Sequence, residues 1–295
     1  MDESDWLADR FEARRIHLRG VAYRMLGSLS EAEDAVQEAW LHLTRADTSA
    51  VANLDGWLRT VVARICLDML RTRRSRHEAP LPSHLPDPII SPTNAIDPEQ
   101  EALLGDSIGL ALLVVLDTLT PAERVAFVLH DVFGVPFSEI GAIVARSPVA
   151  ARQLASRARR RVRGAAPEPD ADLSQQRAVV NAFIAAAREG DFEALLKVLD
   201  PDVILRGDRG AIAAGAITEI RGAPAVAREA LAFAQRYGAF AQPVLVNGAA
   251  GVLVAEKGKP FSVMGFTVRH DKVAAIDILA DPARLKALGI SGTDD

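Results

Sequence analysis

The chain has 295 residues, a formal net charge of −5, 49% hydrophobic residues and 25% charged residues. That balance belongs to a folded globular protein of two or three domains and excludes disorder of the whole chain. Its longest near-continuous apolar run, Ile108 to Leu116, falls far short of the roughly 20 residues that cross a bilayer. The acidic start, Met1 to Asp5, lacks the positive charge that opens a signal peptide. A cytoplasmic protein with no membrane partner is expected. One cysteine, Cys66, excludes an intramolecular disulfide and a multi-cysteine zinc site. The histidines show no ligand spacing with cysteine or carboxylate, and no glycine-rich phosphate loop occurs. No metal or cofactor is therefore expected.

Two proline-rich acidic stretches divide the chain into three modules. Residues 77–105 carry six of the 16 prolines, which block helix interiors, so an extended linker is expected there. A second linker covers 165–174. The first module, 5–76, reads as helices. Val21, Met25 and Leu26 recur at helical spacing, as do Ala32, Val36, Ala39, Trp40 and Leu43, and then Leu58, Val61, Val62, Ile65 and Met69. Ser30 before Glu31 suits an N-cap.

The second module, 106–164, is helical too. Thr120-Pro121 gives an N-cap with proline at the first helical position. Gly134 to Ser138 breaks the helix, with Ser138 as the next cap. A short helix then ends near Ala145, and Ser147-Pro148 opens another, which makes a helix-turn-helix. Arg146 to Arg163 holds seven arginines and no acid, so the local field suits a polyanion despite the net charge. On a helical wheel Ala151, Leu154, Ala158 and Val162 face inward, while Arg152, Ser156, Arg159, Arg160 and Arg163 face outward. Gln153 and Arg157 flank that outer face. Arg152 and Gln153 are the expected base readers, and Arg159 to Arg163 are expected near phosphates.

The third module, 175–290, starts with helices Ala178–Arg188, Phe192–Leu199 and Ala223–Arg236. Strands Gln242–Val246 and Gly251–Glu256 flank Asn247-Gly248, a hairpin signal. Strands Phe261–Arg269 and Val273–Leu279 follow around His270 and Asp271. Helices followed by antiparallel strands imply an α+β fold.

These motifs resemble bacterial sigma factors of the extracytoplasmic-function (ECF) class. Leu119-Thr-Pro-Ala-Glu-Arg124 through Phe133-Gly134, Glu139-Ile-Gly141 and Ser156-Arg-Ala-Arg159 resemble sigma region four, which reads the minus-thirty-five promoter element. The resemblance assigns Ser147, Arg152, Gln153, Ser156, Arg157, Arg159 and Arg160 to that DNA. Glu31 to Leu41 resembles the region-two helix that docks on core RNA polymerase, through Asp34, Gln37, Glu38, Trp40 and Leu41. Asn53 to Arg71 resembles the part that melts and reads the minus-ten element. Asn53, Leu54 and Asp55 would line a pocket for unstacked bases, beside Trp57, while Arg59, Arg64 and Arg71 would track the backbone. For Trp57, core packing weighs more than base stacking.

The third module resembles the SnoaL-like family, a cone-shaped α+β fold with a curved antiparallel sheet around a pocket. The expected architecture is thus two all-α sigma modules followed by that domain. One ECF group carries such an extension with short motifs. His84-Leu85-Pro86-Asp87-Pro88 matches its linker element except for histidine in place of tryptophan. Gly207-Asp208-Arg209-Gly210-Ala211 is a degraded form of its glycine-rich loop, and Asp281-Pro282-Ala283-Arg284-Leu285 matches its last element in part. The resemblance implies an intramolecular regulatory contact through these residues, of either sign.

Two other roles compete for the third module. As an enzyme it would need a poised acid or base, for which Asp202, Asp208, His270 and Asp277 are the candidates; no paired set stands out, and no enzyme is expected. As a sensor it would bind a small-molecule effector in a cavity lined by Ile204, Val244, Val246, Val252, Val254, Val263, Phe266 and Val268. The whole-chain reading is a promoter-specificity subunit that partners core RNA polymerase and promoter DNA. The alternative is a conventional helix-turn-helix regulator with an effector pocket, which would not need the Asp34–Leu41 pattern.

Overall fold

The computed structural model describes residues 3–46, 53–76, 84–92, 109–165, 172–210 and 217–289. The linker stretches 77–83, 93–105 and 166–171, together with Ala211 and residue 290, lie outside the described residues. These fall into two compact units. One lies within Met1–Leu81 and Val115–Gly164, the other within Pro82–Asp97, Ser107–Val114 and Ala165–Asp295.

In the first unit, α1 (Glu3–Leu26), α2 (Leu29–Leu43) and α3 (Leu54–Arg76) pack as a three-helix bundle. The cap of α2 is Ser28 rather than Ser30: its Oγ accepts from the Glu31 N–H at 3.4 Å, and Ser30 falls inside the first turn. Ala32, Ala35, Val36, Ala39 and Leu43 bury one face of α2. On α3 the buried stripe is Leu58, Val62, Ile65, Cys66 and Leu70; Val61 and Met69, expected inside, are half-buried. Burial pushes the Cys66 thiol up, so it stays protonated and inert.

After α4 (Leu110–Leu116), Thr120 caps α5 (Pro121–Phe127) in a reciprocal capping box with Glu123. A π turn (Val128–Val132) leads to α6 (Phe137–Val144), which Pro136 rather than Ser138 precedes as N-cap, with no side-chain cap bond. Ala145 then adopts the left-handed conformation, φ 55°, which costs a residue with a Cβ about 1–2 kcal/mol. A Cβ on Gly141 would stand 2.7 Å from the Arg146 carbonyl oxygen. Glycine there lets the turn fold back tightly before α7 (Pro148–Ala165). The helix-turn-helix is thus built from α6 and α7, and α5 and α6 pack on α3.

The second unit holds α8 (Leu173–Glu189), α9 (Phe192–Val198), α10 (Ala223–Tyr237) and α11 (Pro282–Ala287) around a seven-stranded sheet. Its strands are β1 (Ile90–Pro92), β2 (Leu199–Asp208), β3 (Ile217–Arg221), β4 (Ala241–Val246), β5 (Ala249–Glu256), β6 (Lys259–Arg269) and β7 (Lys272–Leu279). They lie in the order β1-β4-β5-β6-β7-β2-β3, antiparallel except for the parallel pair β2–β7. Bulges in β2, β5–β6 and β6–β7 bend the sheet.

Both expected hairpins form. Asn247-Gly248 and His270-Asp271 both take positive φ, as does a third turn, Lys257-Gly258. One face of the sheet packs on α8, α9 and α10 through Val252, Val254, Phe266 and Ile276. The other carries Leu253, Val263, Leu279, Leu285 and Leu110. This is the expected SnoaL-like α+β arrangement. The sequence did not point to β2, because its buried Arg206 and Asp208 interrupt the apolar alternation, nor to β1 in the proline-rich linker.

Candidate functional site

On α2, Asp34, Gln37, Glu38 and Leu41 are exposed and spaced i, i+3, i+4 and i+7, so they form one stripe. Leu41, the apolar member of the stripe, is 45% exposed. Trp40 does not join the stripe; it turns onto Phe11, with ring centroids 5.0 Å apart. Beside the stripe, a groove of about 620 Å³ runs between α2 and α3, lined by Glu38, His42, Arg64 and Asp68 among others.

The minus-ten candidates are placed around the start of α3, and most are already engaged. Asn53 Oδ1 accepts from the Gly56 N–H at 3.0 Å, so this side chain caps α3. Asp55 pairs with Arg14 at 2.7 Å, and Arg71 with Asp68 at 3.1 Å. Arg59 lies 3.7 Å from Glu139 of α6. Leu54 and Trp57 are half-buried, consistent with packing, and Arg64 is exposed.

On α7 the helical wheel holds. Ala151, Ala155 and Ala158 are buried, with Leu154 and Val162 half-buried beside them. Ser147 Oγ caps the helix by accepting from the Ala150 N–H at 3.2 Å. Arg152 lies 5.4 Å over the Phe137 ring; with Gln153, Ser156 and Arg160 it is exposed. Arg157 and Arg161 reach the buried Glu123 at 3.7 and 3.0 Å. Arg159 pairs with Asp131 at 2.6 Å, so it braces the π turn. Burial raises the Asp131 carboxyl above its ordinary range, and Arg159 opposes that shift.

The linker motif and the two motifs of the C-terminal domain meet. Arg284 donates to Asp208 at 2.7 Å, to Asp87 at 2.5 Å and to the Leu85 carbonyl at 2.6 Å. Asp208, 1% exposed, also accepts from the Leu85 N–H at 2.8 Å, and His84 Nδ1 stands 3.6 Å away. Leu85 to Ile89, including Pro86 and Pro88, are buried. Asp281 caps α11, Pro282 opens it and Leu285 is buried beneath it. Arg209 points elsewhere, 3.4 Å from Glu229. Sequence reasoning missed Asn247. Fully buried at the hairpin turn, it accepts from the Ile89 N–H at 2.9 Å and returns its own N–H to the Ile89 carbonyl at 2.8 Å. Its turn signature was visible, but its second partner lies far away in sequence. From there β1 pairs with β4, Pro92 ending at the sheet edge.

The four acid–base candidates do not converge. Asp202 and His270 are exposed. Asp208 belongs to the cluster just described. Asp277 pairs with Arg206 at 3.2 Å. The cavity of the domain, about 750 Å³, is lined by Ile276 and Ile278 from the opposite face of the same strand. Of the expected cavity residues, Val252, Val254 and Phe266 line it; Val246 and Val263 lie on the other face with Leu110, and Val244 packs against them. A strand's period of two sorts residues into two faces without saying which face is which. Among the described residues, no three His, Cys, Asp or Glu gather to hold a metal, and no helix is long and apolar enough to cross a membrane.

Residues 11–76 match the Sigma-70 region 2 family and residues 109–162 the Sigma-70 region 4 family. The region-two match disfavours the conventional-regulator alternative. The chain is 40% identical to the ECF RNA polymerase sigma factor SigJ of Mycobacterium tuberculosis over 285 residues, 92% of this chain and 91% of the relative. It is 35% identical to a probable ECF sigma factor SigI of the same organism, covering 98% of both. The crystal structure of the M. tuberculosis SigJ superposes with a TM-score of 0.77 at 36% identity, over 96% of this chain and 99% of that one. With two sigma regions in order and near full-length identity, the chain belongs to the ECF RNA polymerase sigma factors, here with a SnoaL-like C-terminal domain.

Proposed function

We propose that this sigma factor is governed by its own C-terminal domain through the linker. The observation that carries the reading is the Arg284 clasp: one guanidinium holds Asp208 of the domain together with Asp87 and Leu85 of the linker. A fused partner acts at high effective concentration, so a modest contact is enough. The exposed stripe Asp34, Gln37, Glu38 and Leu41 is the docking face for core RNA polymerase, with Trp40 as its inner support. Residues 53–71 meet the minus-ten element, and Ser147 to Arg160 the minus-thirty-five element. Both elements must be reached at once, so a linker pinned along the sheet edge restrains initiation. The same domain carries the cavity that a small-molecule effector would need.

Run-off transcription with purified bacterial core polymerase tests this reading. The full chain is compared with a form ending near Gly164 and with Asp87→Ala, which breaks the clasp from the linker side. Both altered forms are expected to initiate about fivefold or more above the full chain when sigma is limiting, the size of a typical coupling. Equal or lower initiation by Asp87→Ala would remove the clasp from regulation.

A further inference from the structure

The cavity of the C-terminal domain has a definite chemistry. Its volume, about 750 Å³, lies within the range of small-molecule sites, about 300–1,000 Å³. Phe183, Phe233 and Phe266 line it with Val252, Val254 and Ile276. Phe261 is 42% exposed and stacks on Tyr237, ring centroids 4.3 Å apart, so an aromatic pair stands at the solvent side. A sealed void of this size would be severely destabilising, because its walls would lose their packing partners. An open one lined with aromatic and branched carbon has the make-up of a small-molecule site.

Among the described residues, the charged ones that line it are Arg188, Arg209 and Arg236, all exposed at its rim, and the half-buried Glu229. Arg188 is fixed by the Gly238 and Ala241 carbonyls at 2.8 and 2.9 Å, and neutral acceptors leave its charge uncancelled. Glu229 sits 3.4 Å from Arg209. The lining is therefore cationic in sum, and it favours an anion on an apolar body.

The wall and the clasp also share elements. Gly207 lines the cavity, and the next residue, Asp208, anchors the clasp. Pro282 reaches the cavity from the start of α11, the helix that carries Arg284, while Leu285 of the same helix touches its edge and packs mainly on the opposite sheet face. Releasing the clasp by undocking α11 would take Pro282 out of the wall and the edge of Leu285 with it. An occupant therefore opposes release, and by reciprocity the closed clasp favours the occupant. We propose that the cavity binds a hydrophobic carboxylic acid and that its occupancy holds the linker clasped. This rests on the clasp acting as the restraint on the linker.

Dodecanoic acid is the probe, with full-length protein. Isothermal titration is expected to show saturable one-to-one binding, and dodecylamine, of equal chain length and opposite charge, at least about tenfold weaker binding. Ala230→Phe, which fills the cavity from α10, is expected to abolish binding. Asp87→Ala lies outside the cavity, yet is expected to weaken binding about tenfold through linkage. Bound dodecanoate is expected to slow amide exchange at Leu85 and Ile89, two linker donors bound to the domain. The site is refuted by non-saturable binding or by equal binding of the amine. The coupling is refuted if Asp87→Ala binds as tightly as the parent and the two amides exchange at the same rate. Neither result depends on transcription, so a clasp without effect on initiation would be recognised separately.

Discussion

Asp277 lies between two residues that line the cavity yet faces away from it, against Arg206 at 3.2 Å. Burial pushes its carboxyl up to about 6 from the ordinary 3.8, and Arg206 opposes that shift. The fold thus prefers the protonated acid. Its contribution to stability is full below about pH 3.8 and is lost as pH rises through about 6. Asp277→Asn removes the titration and leaves a constant cost from an unpaired Arg206. Denaturant unfolding of both proteins across pH 4–7 is expected to show the wild type losing stability relative to the variant between about pH 4 and 6, then no further change. A relative stability that is flat over that window would contradict this burial. The alternation of Asp277 with Ile276 and Ile278 was visible in sequence. Its partner was not, because the parallel pairing of β2 and β7 sets Arg206 opposite it.

At the scale of the element, α7 shows what helical periodicity can and cannot give. Its inner alanines and outer arginines followed from spacing alone. The division of labour among the arginines did not, since Glu123 and Asp131 stand far upstream in sequence and select Arg157, Arg159 and Arg161 only once the chain folds. Those arginines are partly spent on the module itself, while Gln153 and Arg160 remain exposed. Gln153→Ala is expected to relax preference at one promoter position, costing about 1–3 kcal/mol there. Arg160→Ala is expected to weaken binding to all sequences alike and to lower the salt slope by about one. Competition binding of holoenzyme to promoter variants at several salt concentrations separates the two. A base-specific effect of Arg160→Ala would reverse the assignment.

At the scale of the chain, the sequence shows two DNA-reading modules in order but not that they occupy each other. Phe133, from the end of the π turn, sits edge-on to His17 of α1 with centroids 5.6 Å apart and lies 5.2 Å from the Arg24 guanidinium. Arg59, a minus-ten candidate, leans on Glu139 of the helix-turn-helix. These contacts join residues 80 or more positions apart, beyond any local pattern. Burial, with help from Arg59, lowers the His17 pKa, so the contact favours the neutral ring. Its contribution is full above about pH 6.5 and is lost as pH falls toward the depressed folded value. With a net charge of −5 already opposing DNA, this mutual engagement is expected to hold free sigma off duplex promoter. Phe133→Ala removes a half-buried ring worth about 1–2 kcal/mol, so the variant is expected to bind duplex promoter about 5–30-fold more tightly. Gel-shift titration of the free proteins at fixed salt and pH 7.5 reads this directly. Acidification to pH 5.5 should narrow the gap, because the contribution of the neutral His17 ring declines below about pH 6.5. Equal affinity at both pH values would show that region two does not hold region four back.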